Sequence, residues 1–182
     1  MRRLPALLLL ALCSALAPRA AEAQRFAPPS SVGDGGGWAP AWAGIRAGWD
    51  YNNQATVLGT QLRLPVLPSG YVEIVPNGEI TFLEGLREYQ GGVDAVVVSG
   101  GRRGGVYAGV GLAWRNTVWA AGSARETRSA SVTVAGVRTG TTAGAPFGTQ
   151  LEMRWTWLDE PFKPRVLTLG INFPLWGRGR GR

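Results

Sequence analysis

The feature that most constrains this 182-residue chain is an alternation of apolar and polar side chains with a period of two residues. In the last alternating segment, Leu167, Leu169 and Ile171 fall on one face, whereas Thr168 and Asn172 fall on the other. Successive side chains of a β-strand point to opposite faces of the sheet, so this period predicts strands. Eight such segments follow one another, at residues 42–51, 55–66, 71–83, 87–98, 104–115, 128–138, 148–158 and 165–176.

The length of these segments indicates the kind of sheet. Strands of soluble proteins are most often about 5–6 residues long, whereas a tilted strand that crosses a membrane needs roughly 9–11 residues. The alternating segments are of the second length, and the connections between most of them are short. This combination predicts an all-β fold, an eight-stranded antiparallel up-and-down transmembrane β-barrel.

The polar face of the predicted strands favours a membrane barrel over a soluble one. A lipocalin-type barrel turns its apolar side chains inward, whereas a membrane barrel turns them toward lipid and keeps a polar lumen. The polar face here is rich in glycine, and the whole chain has a single lysine, Lys163. Small residues leave room in a narrow interior for interlocked ion pairs. We therefore predict a lumen charge network of four arginines and five acids: Arg46, Asp50, Arg63, Glu73, Glu79, Asp94, Arg115, Glu152 and Arg154.

The apolar face is predicted to contact lipid. In the fifth segment it includes Val110, and in the sixth the same reasoning places Ala130, Val132 and Val134 on it. Aromatic residues of this face collect near the two ends of the strands, which is typical of the aromatic girdles of membrane barrels. The predicted girdle residues are Trp49, Tyr51, Phe82, Tyr89, Trp114, Trp155 and Trp157 at one end, and Phe147 and Phe173 at the other.

The beginning of the chain has the pattern of an export signal. A basic start, a leucine- and alanine-rich run and Ala21-Glu22-Ala23 predict a secretory signal peptide over residues 1–23. A membrane anchor is the alternative, but the apolar run is shorter than the roughly 20 residues that a spanning helix needs. Residues 24–41 are predicted to be a disordered segment, 42–176 the barrel and 177–182 a basic Gly/Arg tail.

Charge and composition restrict the possible partners and chemistry. The formal charge of +7 falls to +5 when residues 1–23 are removed, and export makes anionic lipid a better counter-charge than nucleic acid. The chain has no histidine, which removes the most common general base and metal ligand. Its one cysteine, Cys13, lies in the predicted leader, so the mature chain has no disulfide. We predict no catalytic residues, no metal site and no cofactor.

The chain resembles the small bacterial outer-membrane β-barrel proteins of the OmpA-like, OmpX-like and opacity-type group. The resemblance covers about residues 42–176 and includes the closing segment 167–173, which looks like the C-terminal assembly signal of that group. It implies insertion by the barrel-assembly machinery, a monomer, and outer-membrane lipid and lipopolysaccharide as partners. Enzymes with this fold rely on a catalytic histidine, so the resemblance implies no enzymatic activity here. Segment 174–182 departs from the group, in which the signal usually ends the chain.

Two features leave alternatives open within this barrel. Pro76 lies inside the third segment, where it cannot donate a hydrogen bond, and this predicts a bulge. Alternatively, residues 76–78 form a hairpin turn, which would give ten shorter strands. Only one outer connection is long, residues 116–127, and it makes Trp119, Arg125 and Arg128 a candidate surface loop that could meet lipopolysaccharide phosphates.

These observations favour a non-enzymatic outer-membrane barrel whose lumen is filled by side chains, with a structural or surface-interaction role in the cell envelope. An exported soluble barrel that binds an apolar ligand is the alternative, and it would turn the same strands inside out. A third hypothesis is a narrow channel, which would need ten or more strands because an eight-stranded interior has room for little besides side chains.

Overall fold

The computed structural model describes residues 39–100, 104–119, 125–139, 147–158 and 164–176, which form one closed β-barrel. Each strand pairs in antiparallel fashion with its neighbours in the sequence, and the first strand pairs with the last. The predicted eight-stranded antiparallel barrel is therefore confirmed. The strands are β1 (Ala41–Asp50), β2 (Ala55–Pro65), β3 (Val72–Leu83), β4 (Leu86–Val98), β5 (Gly104–Trp119), β6 (Arg125–Thr139), β7 (Gly148–Trp157) and β8 (Arg165–Trp176).

The strands are strongly tilted relative to the barrel axis. One row of paired residues runs from β2 to β8 through Leu64, Ile74, Ala95, Val110, Thr133, Trp155 and Arg165. At its start, the row lies one residue beyond Arg63, and Arg63 pairs with Trp42 of β1. At its end, the row reaches Arg165, and the carbonyl of Arg165 accepts a hydrogen bond from the N–H of Tyr51, which follows β1. Following paired residues once around the barrel therefore returns to the β1 side about ten residues further along the chain. In closed barrels this shift in register accompanies strand tilts of about 35–45°.

The two faces of the wall have opposite character. In β4, Gln90 and Asp94 point inward and are buried, whereas Tyr89, Val93 and Val97 point outward and are exposed. In β5, outward-facing Val110 is 65% exposed. The described strands carry large apolar side chains outside and the charged side chains of the lumen inside, where some apolar residues such as Val75, Val96 and Val98 are also buried. In β6 the apolar residues of the predicted outward face lie inside as a group.

The outward aromatic residues form two rows. Trp157 ends β7 and Phe147 precedes it by ten residues, which corresponds to about 33 Å along a strand. With a tilt of about 40°, the two rows are about 25 Å apart along the barrel axis. At the Phe147 end, the ring of Phe173 lies 6.4 Å from that of Phe147, measured between centroids. The separation matches the roughly 25 Å height of the apolar band of membrane barrels.

The exception in β6 overturns one prediction. Ala130, Val132 and Val134 point into the lumen and are buried, and their neighbours Ser129 and Ser131 are exposed on the outside. The sequence argument assigned the apolar side of every segment to the outside. It was wrong here because the pairing sets Val132 opposite Thr156 and Val134 opposite Arg154, and both of these β7 residues are buried in the lumen.

Neither prediction for Pro76 is correct. β3 runs without a turn from Val72 to Leu83, so the ten-strand alternative is excluded. The register is constant on both sides of the proline, so there is no bulge at this position either. Pairing with β2 is interrupted between Asn77 and Ile74, whereas pairing with β4 continues through Pro76 itself. The missing N–H therefore costs a local gap in one ladder and leaves the register intact.

The predicted long surface loop is mostly strand. Trp119 is the last residue of β5, Arg125 is the first residue of β6, and Arg128 lies within β6. Pairing of β5 with β6 continues to Val118 opposite Arg125. The polar composition of this stretch indicated a loop, but a hairpin that extends beyond the neighbouring strands is also exposed and polar.

The predicted ends of the barrel lie partly outside the described residues. The leader 1–23, most of the segment 24–41 and the tail 177–182 lie there. Residues 39–41, which the sequence assigned to the disordered segment, are ordered: the N–H of Ala39 donates to the carbonyl of Pro68 at 3.1 Å, and Ala41 begins β1. No helix among the described residues is long and apolar enough to cross a membrane.

Closure between β1 and β8 can be tested by cross-linking. Ile45 and Ile171 are paired across this seam and both point outward. In a Cys13→Ala background, Ile45→Cys combined with Ile171→Cys should form a disulfide on mild oxidation, because paired residues place their Cα atoms within about 4.4–6.8 Å. Mass spectrometry and non-reducing gel migration measure the product. Ile45→Cys with Leu167→Cys is the control, and equal cross-linking of both pairs would contradict the register.

Candidate functional site

The lumen holds a chain of ion pairs that we call the central cluster: Asp94, Arg154, Glu152, Arg46 and Glu79. Arg154 Nη2 lies 2.6 Å from Asp94 Oδ2 and 3.2 Å from Glu152 Oε1. Arg46 bridges to the other side, with Nη1 2.9 Å from Glu152 Oε1 and Nη2 2.9 Å from Glu79 Oε2. These side chains are almost inaccessible to solvent. Each guanidinium therefore contacts two carboxylates from different strands.

A second cluster occupies the part of the lumen nearer the chain termini. Both oxygens of Glu73 accept hydrogen bonds, one from Arg63 Nε at 2.8 Å and one from Arg138 Nη2 at 2.6 Å. Arg63 also donates to Gln150 Oε1 at 3.2 Å. Gln150 Oε1 in turn accepts hydrogen bonds from Gln61 Nε2 at 2.6 Å and from an amide of β8. Neutral amide side chains thus provide the remaining hydrogen bonds of this second cluster.

Tyr107 joins the two clusters. Its hydroxyl donates to Glu152 Oε2 in the central cluster at 2.7 Å. The guanidinium carbon of Arg63, in the second cluster, lies 4.6 Å from the centroid of the Tyr107 ring, within the range of a cation–π contact. The side chain is 1% exposed. Side-chain contacts thus run without interruption from Asp94 to Arg138.

Glycines in the wall provide the space for these large side chains. A Cβ added at Gly59 would lie 3.0 Å from Arg46 Nε, and one at Gly136 would lie 2.8 Å from the Tyr107 hydroxyl oxygen. Both distances are shorter than ordinary van der Waals contacts. The glycine-rich polar face therefore gives the ion pairs room inside a barrel of only eight strands.

The nine residues of the predicted charge network are all buried. Seven of them make ion pairs with one another: Arg46, Arg63, Glu73, Glu79, Asp94, Glu152 and Arg154. Arg115 instead pairs with Glu88, close to the far end of the lumen. Asp50 accepts hydrogen bonds from the turn that follows β1, including the N–H of Asn52 at 3.0 Å and Nδ2 of Asn53 at 2.7 Å. Asp50 is thus the last residue of β1, and its carboxylate binds the turn that follows this strand.

Three members of the lumen contacts were not foreseen. Arg138 was missed because its strand was placed with the wrong face outward, although it is in phase with Val134 on that face. Glu88 lies in β4, within the predicted segment 87–98, but it was not included in the predicted charge network. Tyr107 was placed on the polar face without a role. Nothing in its local sequence indicates that it contacts residues of β2 and β7.

The predicted aromatic girdle residues all lie on outward positions of the wall. Tyr51, Phe82, Tyr89, Trp114, Trp157, Phe147 and Phe173 are exposed, and Trp49 and Trp155 are half-buried. Trp157 Nε1 donates to the outward hydroxyl of Thr133 at 3.1 Å. Of the predicted surface-loop residues, Arg128 pairs with Glu126 at 2.6 Å.

Comparison with solved structures identifies relatives in fold. The N-terminal β-barrel domain of Pseudomonas aeruginosa OprF matches with a TM-score of 0.61 and 16% sequence identity, over 75% of this chain and 98% of that domain. Neisserial surface protein A matches with a TM-score of 0.56 and 11% identity, over 74% of this chain and 94% of that protein. No protein-family model and no curated protein matches the sequence. The chain therefore has the fold of the small eight-stranded outer-membrane barrels, as the sequence resemblance predicted.

The central cluster should contribute strongly to stability. Arg154→Leu leaves Asp94 and Glu152 buried near each other without their shared cation, which should lower the free energy of unfolding by about 3–5 kcal/mol. Arg128→Leu is the control: it removes an ion pair that is largely exposed, so its cost should be about 0–1 kcal/mol. Urea unfolding in lipid vesicles, followed by tryptophan fluorescence, measures both. Equal losses would contradict this assignment.

Proposed function

We propose that this chain is a non-enzymatic bacterial outer-membrane protein whose lumen is plugged by side chains, with a structural or surface-interaction role in the cell envelope. The observation that carries the proposal is the distribution of charge across the wall. Ion pairs of the central cluster fill the inside, and exposed aliphatic side chains such as Val110 and Leu112 cover the outside. Such a wall is stable only when an apolar medium surrounds it.

The outward surface supports insertion in a bilayer. Among the described residues that face outward between the two aromatic rows, none is charged. Closed pairing of β1 with β8 leaves no free sheet edge, which is the condition for a sheet in lipid. The fold neighbours support the outer membrane as the location, and export by the predicted leader would bring the chain there.

The two rival functions have less support. A soluble barrel for an apolar ligand needs an apolar interior, but here Glu152 and Arg154 lie at the centre. A diffusion channel needs open space in the lumen, and the described contacts of Tyr107 and Arg46 cross it from wall to wall.

The absence of enzymatic activity is supported by the state of the buried acids. Four lumen carboxylates each contact an arginine: Glu73, Glu79, Asp94 and Glu152. Because each is held in an ion pair, none of these four is available as a general acid or base. The chain has no histidine to replace them. We propose lipid, including lipopolysaccharide, as the surrounding partner, and the barrel-assembly machinery as the factor that inserts a monomer.

Cell fractionation tests the proposed location. The folded protein should appear in the outer-membrane fraction and should migrate differently on a gel before and after heating. Val110→Arg should lower stability by about 2–4 kcal/mol and reduce insertion, because it places a charge in the middle of the lipid-facing surface. Ser129→Arg should be nearly neutral, because Ser129 faces outward beside Trp114 in the aromatic row that contains Trp157, which we call the upper aromatic row. Extraction of the wild-type chain without detergent would contradict the proposal.

Planar-bilayer recording tests the plugged lumen. The wild-type protein should show no stable conductance steps, because the two clusters and Tyr107 close the lumen. A folded Arg46→Ser, Glu152→Ser, Arg154→Ser variant should show steps, since three large side chains are removed from the central cluster. Heat-dependent gel migration verifies that the variant is folded. Steps of equal size in both proteins would show that the lumen is open without any substitution.

A further inference from the structure

Two of the described arginine side chains differ from the other six because they have no acidic partner among the described residues. Among the described residues, eight arginine side chains are placed, and six of them contact a carboxylate: Arg46, Arg63, Arg115, Arg128, Arg138 and Arg154. The other two, Arg87 and Arg165, lie on the outward face and are exposed. Within the described part of the chain, these two cations therefore have no carboxylate in contact with them.

Arg165 lies among aromatic side chains at the level of the upper aromatic row. It begins β8 and pairs with Trp155 of β7, and its carbonyl accepts a hydrogen bond from the N–H of Tyr51 at 2.9 Å. It lines a shallow surface depression together with two tryptophans and two smaller residues. The lining residues are Trp155, Thr156, Trp157, Pro164 and Arg165.

The backbone beneath this depression is held in place from inside the barrel. The N–H of Arg165 donates to Oδ1 of Asp50 at 3.3 Å, and the N–H of Thr156 donates to the carbonyl of Pro164 at 3.1 Å. Asp50 is fully buried and accepts further hydrogen bonds from the turn at Asn52 and Asn53. Its carboxylate therefore anchors the main chain of Arg165, and the guanidinium remains directed outward.

We propose that Arg165, Trp155 and Trp157 form a binding site for the phosphate headgroup of an outer-leaflet lipid. This inference rests on the proposed membrane location. A guanidinium binds phosphate through two parallel hydrogen bonds, and indole rings at a membrane interface pack against the adjoining apolar or sugar portion of a lipid. The uncharged surface below Arg165 accommodates the acyl chains, and the phosphate supplies the missing negative partner.

Arg87 provides a comparison within the same chain. It is also exposed and outward, but it pairs with Phe82 on one side and Val118 on the other, so neither of its paired neighbours is a tryptophan. A general attraction of cations to an anionic membrane would involve Arg87 and Arg165 equally. A specific binding site that includes the neighbouring tryptophans would involve Arg165 but not Arg87.

The experiment uses the full mature chain, purified in uncharged detergent micelles, and native mass spectrometry with diphosphorylated lipid A as the probe. Arg165→Gln and Trp155→Leu should each weaken binding at least fivefold, and Arg165→Lys should restore part of the loss. Arg87→Gln should stay within twofold of the wild type. Dephosphorylated lipid A should bind as weakly to the wild type as the phosphorylated probe does to Arg165→Gln.

Several results would overturn the site. They are equal binding by Arg165→Gln and the wild type, equal losses in Arg87→Gln and Arg165→Gln, or displacement of the lipid by millimolar inorganic phosphate, which would indicate a site for the free ion. Outer-membrane fractionation and heat-dependent migration of each variant show whether it folds and inserts. A correctly inserted Arg165→Gln protein that keeps its lipid refutes the site alone, whereas a wild-type chain outside the membrane refutes the proposed function.

Discussion

The interaction on which this structure depends is the pairing of buried arginines with carboxylates inside a closed sheet. Arg46 and Arg154 have no access to water, so each must find its hydrogen-bond partners among lumen side chains. Glu152 accepts hydrogen bonds from both guanidiniums and also from the Tyr107 hydroxyl. Glu152 is therefore the carboxylate that both central arginines share, and Tyr107 connects it to the second cluster through its contact with Arg63.

The outer face follows from the same arrangement. With the charged groups turned inward, the outward positions of an alternating strand are left to Ile, Leu, Val and aromatic residues, and the closed hydrogen-bonded wall presents no polar backbone to its surroundings. The outer surface is therefore apolar because the charged side chains of the alternating strands are placed inside the barrel. The glycines serve this division, since a side chain at Gly59 or Gly136 would occupy the space of Arg46 or Tyr107.

Most of the fold was predictable from sequence because the alternation is a local signal repeated eight times. The errors occurred where a local signal has two meanings. Ala130, Val132 and Val134 are apolar, but the register of β6, which sets Val134 opposite buried Arg154, shows that they face inward. Pro76 indicates that one hydrogen-bond ladder is interrupted, but the continuous pairing of β3 with β4 shows that the chain does not turn there. Most of the buried charges could also be predicted, although Arg138 and Glu88 were missed. Their partners could not be predicted, because residues such as Arg46 and Glu152 are 106 positions apart in the chain.

The seam between β1 and β8 has a consequence for how the barrel assembles. Its strands are the most distant in sequence, so their pairing closes the longest loop and is expected late in folding. Until then, Arg46 on β1 and Glu152 on β7 cannot approach each other across a finished lumen. Half-assembled intermediates would have to carry unmatched charges into the acyl region, at a high energetic cost. Translocation of these groups and completion of the cylinder should therefore occur as a single concerted event.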